Sequence, residues 1–547
     1  MRPLLVAINA KYIHTNNAIR LLKANSSFAV DLLEFTIKDK VDDILNAIRA
    51  YNPLFVGFST YLWNVEMVKI LAQRLFPTPI VLGGPEVSYD AKYFLDYATV
   101  IVKGEGEHVF DDVVRYFKYQ TPLDNTPNIT THTTNNTIQE IPDLSVIKSP
   151  YLFLEDQHTF KQKIAYIESS RGCPYKCTYC LSSLEKKVRF FPFVHVIEHI
   201  EHLQNLGVKT FKFLDRTFNA NPRMLDLILW IIKHHQPDTV FQFEITGDTF
   251  KPQWIKTIHQ HAPKGLFRFE IGIQSLHEET NILVERSQNQ SRLLAMIEMI
   301  QKANVIELHL DLIAGLPNET LAMFKDSFNQ VYHLGAKELQ LGFLKMLRGT
   351  KIRNNAQQYE YQYNALPPYE ILRNDMLSEA DLNSIKQVEH MLNIFHNKGF
   401  FNDYTHHIIT HYFDSSFDAF IALYTVFKQT IDSNQYQIDQ LYACFSTFLK
   451  AENIPHHEIE TLKQRYLIRA KVKPKCYFPI IQDKSLKNAI FKVINKDYPL
   501  SINQLFKHSI LTDYHDGYLL VYYESHQATA FIVHKKASSY TVVKQIR

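Results

Sequence analysis

The chain reads as an α/β protein: two successive parallel sheets with crossover helices, followed by a mostly helical tail. Two observations predict this. Short apolar strands alternate with helical periodicities twice over, in residues 1–125 and again in 161–350. In both stretches the strand ends carry clusters of polar residues and glycines. Ligands on parallel sheets bind beyond the carboxyl ends of the strands.

In residues 1–125 the strand-like runs are Leu4 to Ile8, Ala29 to Phe35, Leu54 to Phe58, Ile80 to Leu82 and Val100 to Val102. Helical segments such as Val41 to Ala50 and Val65 to Leu75 separate them, which argues a doubly wound parallel sheet. The strand ends offer Asn9 and His14, then Ser59, Tyr61 and Trp63, then Gly83, Gly84 and Glu86, and lastly Gly104. Glycines there let backbone approach a bulky ligand closely. His14 reads either as a ligand contact or as a satisfied loop histidine, and Tyr61 and Trp63 either as ligand-facing or as core aromatics. Residues 126–160 form a linker: Thr130 to Asn136 is Thr/Asn-rich, an exposed loop or a hairpin, and Pro142 and Pro150 argue against helix.

The second stretch opens on Ile164 to Ile167, which leads into Cys173-Pro174-Tyr175-Lys176-Cys177-Thr178-Tyr179-Cys180. A structural zinc site takes four ligands, and the remaining cysteines, Cys444 and Cys476, lie far along the chain. Three thiolates without a nearby fourth ligand fit an iron-sulfur cluster with one iron open. Five further strands follow: Thr210 to Leu214, Val240 to Ile245, Leu266 to Ile271, Ile306 to Leu312 and Glu338 to Gly342. Their ends hold Asp215, Thr217, Glu244, Gln274 and Asp311. Buried carboxylates need partners, and a small cationic ligand would supply them.

The Cys-x3-Cys-x2-Cys spacing, with aromatic Tyr179 before the last cysteine, resembles the radical S-adenosylmethionine (SAM) superfamily. The resemblance implies a partial (β/α)6 barrel in which Cys173, Cys177 and Cys180 hold a 4Fe-4S cluster whose open iron chelates SAM. Gly-x-Gln-Ser, an Arg twelve residues after Gln274 (286 − 274 = 12) and an Asp twenty-five after that (311 − 286 = 25) are similar to the coproporphyrinogen dehydrogenase and elongator-catalytic-subunit branches. It implies SAM contacts at Glu244, Gln274, Arg286 and Asp311, with Arg286 on the carboxylate. Asp215 and Thr217 stand where some relatives place a Gly-rich turn near the methionyl amine. The first domain resembles the cobalamin-binding domain that precedes many radical SAM cores, through Asn-Ala-Lys-Tyr-x-His and Gly-Gly-Pro-Glu. It lacks Asp-x-His-x-x-Gly, so no motif histidine is implied on the lower cobalt face. Residues 351–547 resemble an uncharacterised domain found after such cores.

Composition narrows the partners. Lys+Arg 59 against Asp+Glu 56 leaves +3, so the chain has no large basic field for nonspecific nucleic-acid binding. Five cysteines, three in one loop, indicate a reducing interior. With no run of about 18 apolar residues to span a membrane, the expected location is cytoplasmic. In the tail, Leu377 to Asn397 and Phe417 to Asp432 read as amphipathic helices, and Gly517 to Tyr523 with Ala530 to Val533 as a short sheet. His406, His407 and His411 read as a solvated helix face, with metal binding as the alternative.

These parts imply a cobalamin-dependent radical SAM enzyme that methylates an unactivated carbon, using SAM, an unidentified substrate and an external flavodoxin- or ferredoxin-like electron donor. The alternatives are a non-methylating oxidoreductase or cyclase of the anaerobic magnesium-protoporphyrin cyclase type, and a non-catalytic cluster- or corrinoid-binding protein.

Overall fold

Leu4–Asn9 (β1) is buried on both faces, and its alternate residues feed two different cores. Leu4, Val6 and Ile8 pack into one, with Ile44, Val68 and Phe94; Leu5 and Ala7 pack into the other, with Phe55, Phe110 and Val113. A strand apolar at nearly every position is what helices on both sides of a parallel sheet require. The computed structural model describes all residues except 154–158, 186, 432–434, 471, 537–538 and 547.

The first sheet adds Asp31–Thr36 (β2), Val56–Ser59 (β3), Ile80–Gly83 (β4), Val100–Val102 (β5) and Ile129–Thr130 (β6). Its order is β2-β1-β3-β4-β5-β6, parallel throughout except for β6. The Thr/Asn-rich stretch thus contributes an antiparallel edge strand, anchored by Ile129, which is fully buried. Gly84 after β4 has φ +111, and a Cβ there would lie 2.5 Å from the Thr60 carbonyl oxygen, so the turn requires glycine.

The second sheet begins with Ile164–Ile167 (β7). A short hairpin, Ser170–Arg171 (β8) with Arg189–Phe190 (β9), brackets the cysteine loop. Thr210–Phe213 (β10), Val240–Ile245 (β11), Phe267–Gln274 (β12), Glu307–Ala314 (β13) and Glu338–Phe343 (β14) complete it in strictly sequential order, all parallel. All six expected strands form, most with ends within about two residues of the sequence reading. Each crossover helix covers one face, where Phe211 stacks on Phe241 at 4.6 Å and Phe243 on Phe218 at 4.1 Å. A fully buried Phe contributes about 2 kcal/mol. Alternate positions place Lys212, Gln242, Glu244, Glu270 and Asp311 on the other, half-buried face.

The outer edge of β7 is met by the loop after β1. Ile164 N–H donates to Ile13 O at 2.8 Å, Thr15 Oγ1 to Ile164 O at 3.2 Å and Asn17 Nδ2 to Tyr166 O at 2.9 Å. The chain divides into units Met1–Asn383 and Ser384–Arg547. Residues 351–383, read from sequence as tail, cluster with the first unit because Tyr361 donates to Gly315 O at 2.8 Å and Ile371 N–H to Leu344 O at 3.1 Å.

The second unit holds helices including Asn402–Tyr412, Ser416–Thr430, Ile438–Ala451 and His456–Arg469, then an antiparallel sheet of Ser509–Tyr514 (β15), Gly517–Glu524 (β16), Gln527–Lys536 (β17) and Ser539–Ile546 (β18). The sheet has four strands where the sequence suggested two. Asp432, the expected end of one helix, lies outside the described residues. His407 Nε2 lies 2.9 Å from Glu458 Oε1 and its ring stacks on His411. No helix among the described residues is long and apolar enough to cross a membrane.

Glu319, in the turn after β13, is fully buried and accepts one hydrogen bond, from Ser275 Oγ at 2.5 Å, while its Oε2 has no partner among the described residues. Burial pushes its pKa up to about 8. Between the ordinary carboxylate range and pH 8 the folded chain keeps a proton that the unfolded chain has lost, so this group's contribution to stability falls as pH rises through that window. Glu319→Gln is expected to remove that part of the pH dependence, checked by denaturant unfolding of both proteins at pH 6 and pH 9.

Candidate functional site

The carboxyl end of β7 delivers the cysteine loop, and Asp215 fixes how it leaves the strand. Asp215, at the end of β10, is almost fully buried and accepts Ser169 N–H at 2.9 Å, Ser169 Oγ at 2.5 Å and Ser170 Oγ at 2.6 Å. Burial raises its pKa to about 6 against these donors. Its oxygens are occupied by the chain leading to Cys173, so it holds the loop rather than facing a ligand, unlike the sequence expectation. Thr217 is turned the other way, with Oγ1 3.7 Å from Cys173 Sγ. Further along, Thr178 N–H donates to Val284 O at 3.0 Å, and Ile352 N–H donates to Thr178 O at 3.1 Å.

The three thiols are neighbours. Burial raises the Cys173 pKa, and Cys180 and Cys177 raise it further. Arg286 answers this charge: Nη1 lies 3.8 Å from Cys177 Sγ and 3.4 Å from Tyr179 OH, and Nη2 donates to Gly272 O. Burial and the two cysteines push the Tyr179 hydroxyl well above its usual range, although Arg286 opposes them. Among the described residues no three His, Cys, Asp or Glu side chains are placed to hold a single metal ion. A cube gives each thiolate its own iron, so its ligands need not crowd one point. Three neighbouring thiols in a polar loop, with a cation beside them, suit that donor set.

Gln274 ends β12 at a bulge where Gly272 and Gln274 pair with Asp311 and Leu312. Its φ is +69, and its buried Oε1 has no partner among the described residues. A bulge re-aims a side chain at a strand end, and this one puts Gln274 next to Arg286: a Cβ on Gly272 would lie 3.5 Å from Arg286 Nη2 and would collide with Gln274 Nε2. Burial raises the Asp311 pKa, while His309 Nε2, 3.1 Å away, opposes the shift. Burial raises Glu244 as well, with Arg216 opposing from 3.8 Å. Glu270 sits low despite burial because Lys212 lies 3.2 Å away. Arg286 therefore meets the cysteine loop with Gln274 near it, and Glu244 and Asp311 lie on nearby strands of the same sheet face.

In the first domain most of the expected ligand residues are engaged within the protein. Asn9 Nδ2 donates to Glu34 at 2.8 Å, and Ser59 Oγ accepts from Asn16 at 3.0 Å. The His14 Nδ1 and Tyr166 OH lie 2.6 Å apart, and burial lowers the His14 pKa. Glu86 is buried against Arg348 at 3.3 Å and Tyr369. Gly104 has φ +63 and donates its N–H to Ser88 Oγ at 3.0 Å. Tyr61 stacks on Trp63 at 4.4 Å and 8°, and Trp63 remains 49% exposed, an aromatic face at the end of β3. Gly83 and Gly84 add a turn with little side-chain bulk. A cavity of about 460 Å³ lies between Tyr89 and Asp90, Leu184, and the pairs Arg348–Gly349 and Arg353–Asn354. Burial raises the Tyr89 pKa to about 12, with Glu185, Glu140 and Cys180 adding to the shift.

Sequence reasoning missed Arg171, Arg216, Arg348 and Tyr166. Apart from Glu168, which meets Arg171 from three residues away, their partners Glu105, Glu107, Glu244, Glu86 and His14 lie on a different strand or domain, and no local pattern marks such a pair.

Comparison with known proteins bears on all three parts. Residues 3–114 match the B12 binding domain, 167–331 the radical SAM superfamily and 357–527 a protein of unknown function, DUF4080. An uncharacterised methyltransferase of Pyrococcus horikoshii is 24% identical over 51% of this chain and 64% of its own length. The cobalamin-dependent radical SAM methyltransferase TokK of Streptomyces tokunonensis is 23% identical over 52% of this chain and 46% of its own length. The chain thus spans about a third to two thirds of the length of the curated relatives it matches. The cobalamin-dependent SAM radical enzyme OxsB, with aqua-cobalamin bound, aligns at TM-score 0.61 and 14% identity over 85% of this chain and 79% of that one. The methyltransferase TsrM of Kitasatospora setae aligns at TM-score 0.55 and 16% identity over 70% of this chain and 81% of that one. The chain thus carries, in order, a region that matches the B12 binding domain and a region that matches the radical SAM superfamily, with the thiol loop at the strand ends of that second sheet.

Proposed function

We propose that the protein is a cobalamin-dependent radical SAM methyltransferase acting on an unactivated carbon. The observation that carries this is the convergence of Arg286 on Cys177 and Tyr179, beside the unpartnered amide oxygen of Gln274. A protein that only stored a cluster could use the guanidinium to balance its thiolates but would have no use for an open amide acceptor beside it.

Cys173, Cys177 and Cys180 would hold a 4Fe-4S cluster, and Glu244, Gln274, Arg286 and Asp311 would receive SAM. Tyr61, Trp63 and the turns at Gly83, Gly84 and Gly104 would border cobalamin. When bound, these groups supply a 5'-deoxyadenosyl radical and a transferable methyl group. The chain's own residues bind, orient and exclude water. Arg286 offers a fixed fork to a carboxylate, Glu244 and Asp311 offer acceptors to hydroxyls or an amine, and the Asp215 bonds keep the thiol loop in place. The methyltransferase relatives favour methyl transfer, and an external flavodoxin- or ferredoxin-like protein would supply the electron. Residues 1–125 would serve the corrinoid and 161–350 the radical chemistry, and of 351–547, expected to be one tail, 384–547 would form a C-terminal domain of unknown role.

Anaerobic protein reconstituted with iron and sulfide, then given hydroxocobalamin, SAM labelled on its methyl group and dithionite, is expected to release 5'-deoxyadenosine, and Cys177→Ala is expected to release none. Absence of 5'-deoxyadenosine from the iron-loaded wild type would overturn the reading; 5'-deoxyadenosine without labelled product, once substrate is supplied, would favour the non-methylating oxidoreductase. Arg286→Ala is expected to weaken SAM binding about 10- to 100-fold, the loss of a hydrogen bond to a charged group worth about 1.5–3 kcal/mol. Equilibrium dialysis with SAM, with iron content measured alongside, checks it.

A further inference from the structure

The cysteine loop is closed at its base by the β8–β9 hairpin, in which Arg171 pairs with Arg189. A ladder of two residue pairs has little stability of its own, and like charges directly opposite each other destabilise it further. A carboxylate from the first domain answers both. Glu105 lies 3.0 Å from Arg171 through Oε1 and 2.8 Å from Arg189 through Oε2. Ile141 N–H also donates to Glu105 Oε2 at 2.6 Å. Glu107 takes Arg171 at 2.7 Å and Glu168 takes it at 3.0 Å. The side chains of Arg171, Arg189 and Glu105 are only 10%, 9% and 15% exposed. Gly172 follows at φ +93, and a Cβ there would collide with the Lys187 carbonyl oxygen, so the neck has no slack on that side.

We propose that Glu105 is the positioning residue of the cysteine loop: one buried carboxylate of the B12 binding domain ties the two arginines at the loop's neck and sets where Cys173 begins. This rests on the reading that Cys173, Cys177 and Cys180 hold a cluster. The strand end that carries Glu105 thereby serves the cluster side of the molecule. It also gives the two domains a shared element, because Gly104, one residue earlier, stands at the corrinoid-facing end of β5.

The test uses the full chain, reconstituted anaerobically with iron and sulfide, and three readouts: iron release to bathophenanthroline, the electron paramagnetic resonance spectrum after dithionite reduction, and hydroxocobalamin binding. Glu105→Gln is expected to release iron about tenfold faster, in the range seen when supporting hydrogen bonds around metal ligands are removed. Its spectrum should be broadened and its corrinoid affinity unchanged. Glu105→Asp should recover part of the slow release, and Glu107→Gln, which leaves the Arg171–Glu105–Arg189 bridge intact, should show a smaller effect. If Glu105→Gln does not fold, Arg189→Lys, which keeps the charge and loses the fork, takes its place with the same expectations. A wild-type release rate and spectrum in the substituted protein would overturn the assignment while leaving the cluster reading in place. A wild-type protein that takes up no iron would overturn both.

Discussion

Three thiols within eight residues repel one another as they ionise, and a chain that keeps them together must bring positive charge to the same place. Arg286 does so from the loop beyond β12, at Cys177 and Tyr179. Arg216, beyond the end of β10, lies 3.8 Å from Glu244, and Cys180 and Cys173 act on it more weakly than that carboxylate. Both arginines stand beyond strand ends of a sequentially ordered parallel sheet, where residues far apart in the chain recur side by side. The electrostatic requirement and the topology are therefore met by the same feature.

The barrel strands illustrate what a sequence states openly. Phe211, Phe213, Phe241 and Phe243 alternate with Lys212, Gln242 and Glu244, and the period of two is enough to assign each side chain to a face. The cysteine spacing is equally local, as is the interval from Gln274 to Arg286. Other features depend on distant partners and left no such trace. Asp215 stood at the correct strand end, yet only the folded chain brings Ser169 and Ser170 to its oxygens. The extra residue in β12 that turns Gln274 to φ +69 is a register shift against β13, and a register exists only between two strands.

The first domain shows the same division. Its five parallel strands were legible as apolar runs, and their ends were legible as polar. Where those polar groups point was not. Glu86, Glu105 and Glu107 all meet arginines that lie beyond residue 170, in the loop or barrel of the next domain. The aromatic pair Tyr61–Trp63 and the glycine turns remain as the surface that a flat macrocycle could use, since stacking and close backbone approach need no charged partner.

The contact between β7 and the loop after β1 has a consequence for how this architecture can be divided. An open sheet has two rims, and one of them here is covered by Ile13, Thr15 and Asn17 of the preceding domain. Cut away at residue 160, the radical SAM region would present a bare row of amides and carbonyls, the kind of template on which chains join edge to edge and aggregate. The first domain thus shields an exposed rim of its neighbour, and a cut between the two would cost the second sheet that cover.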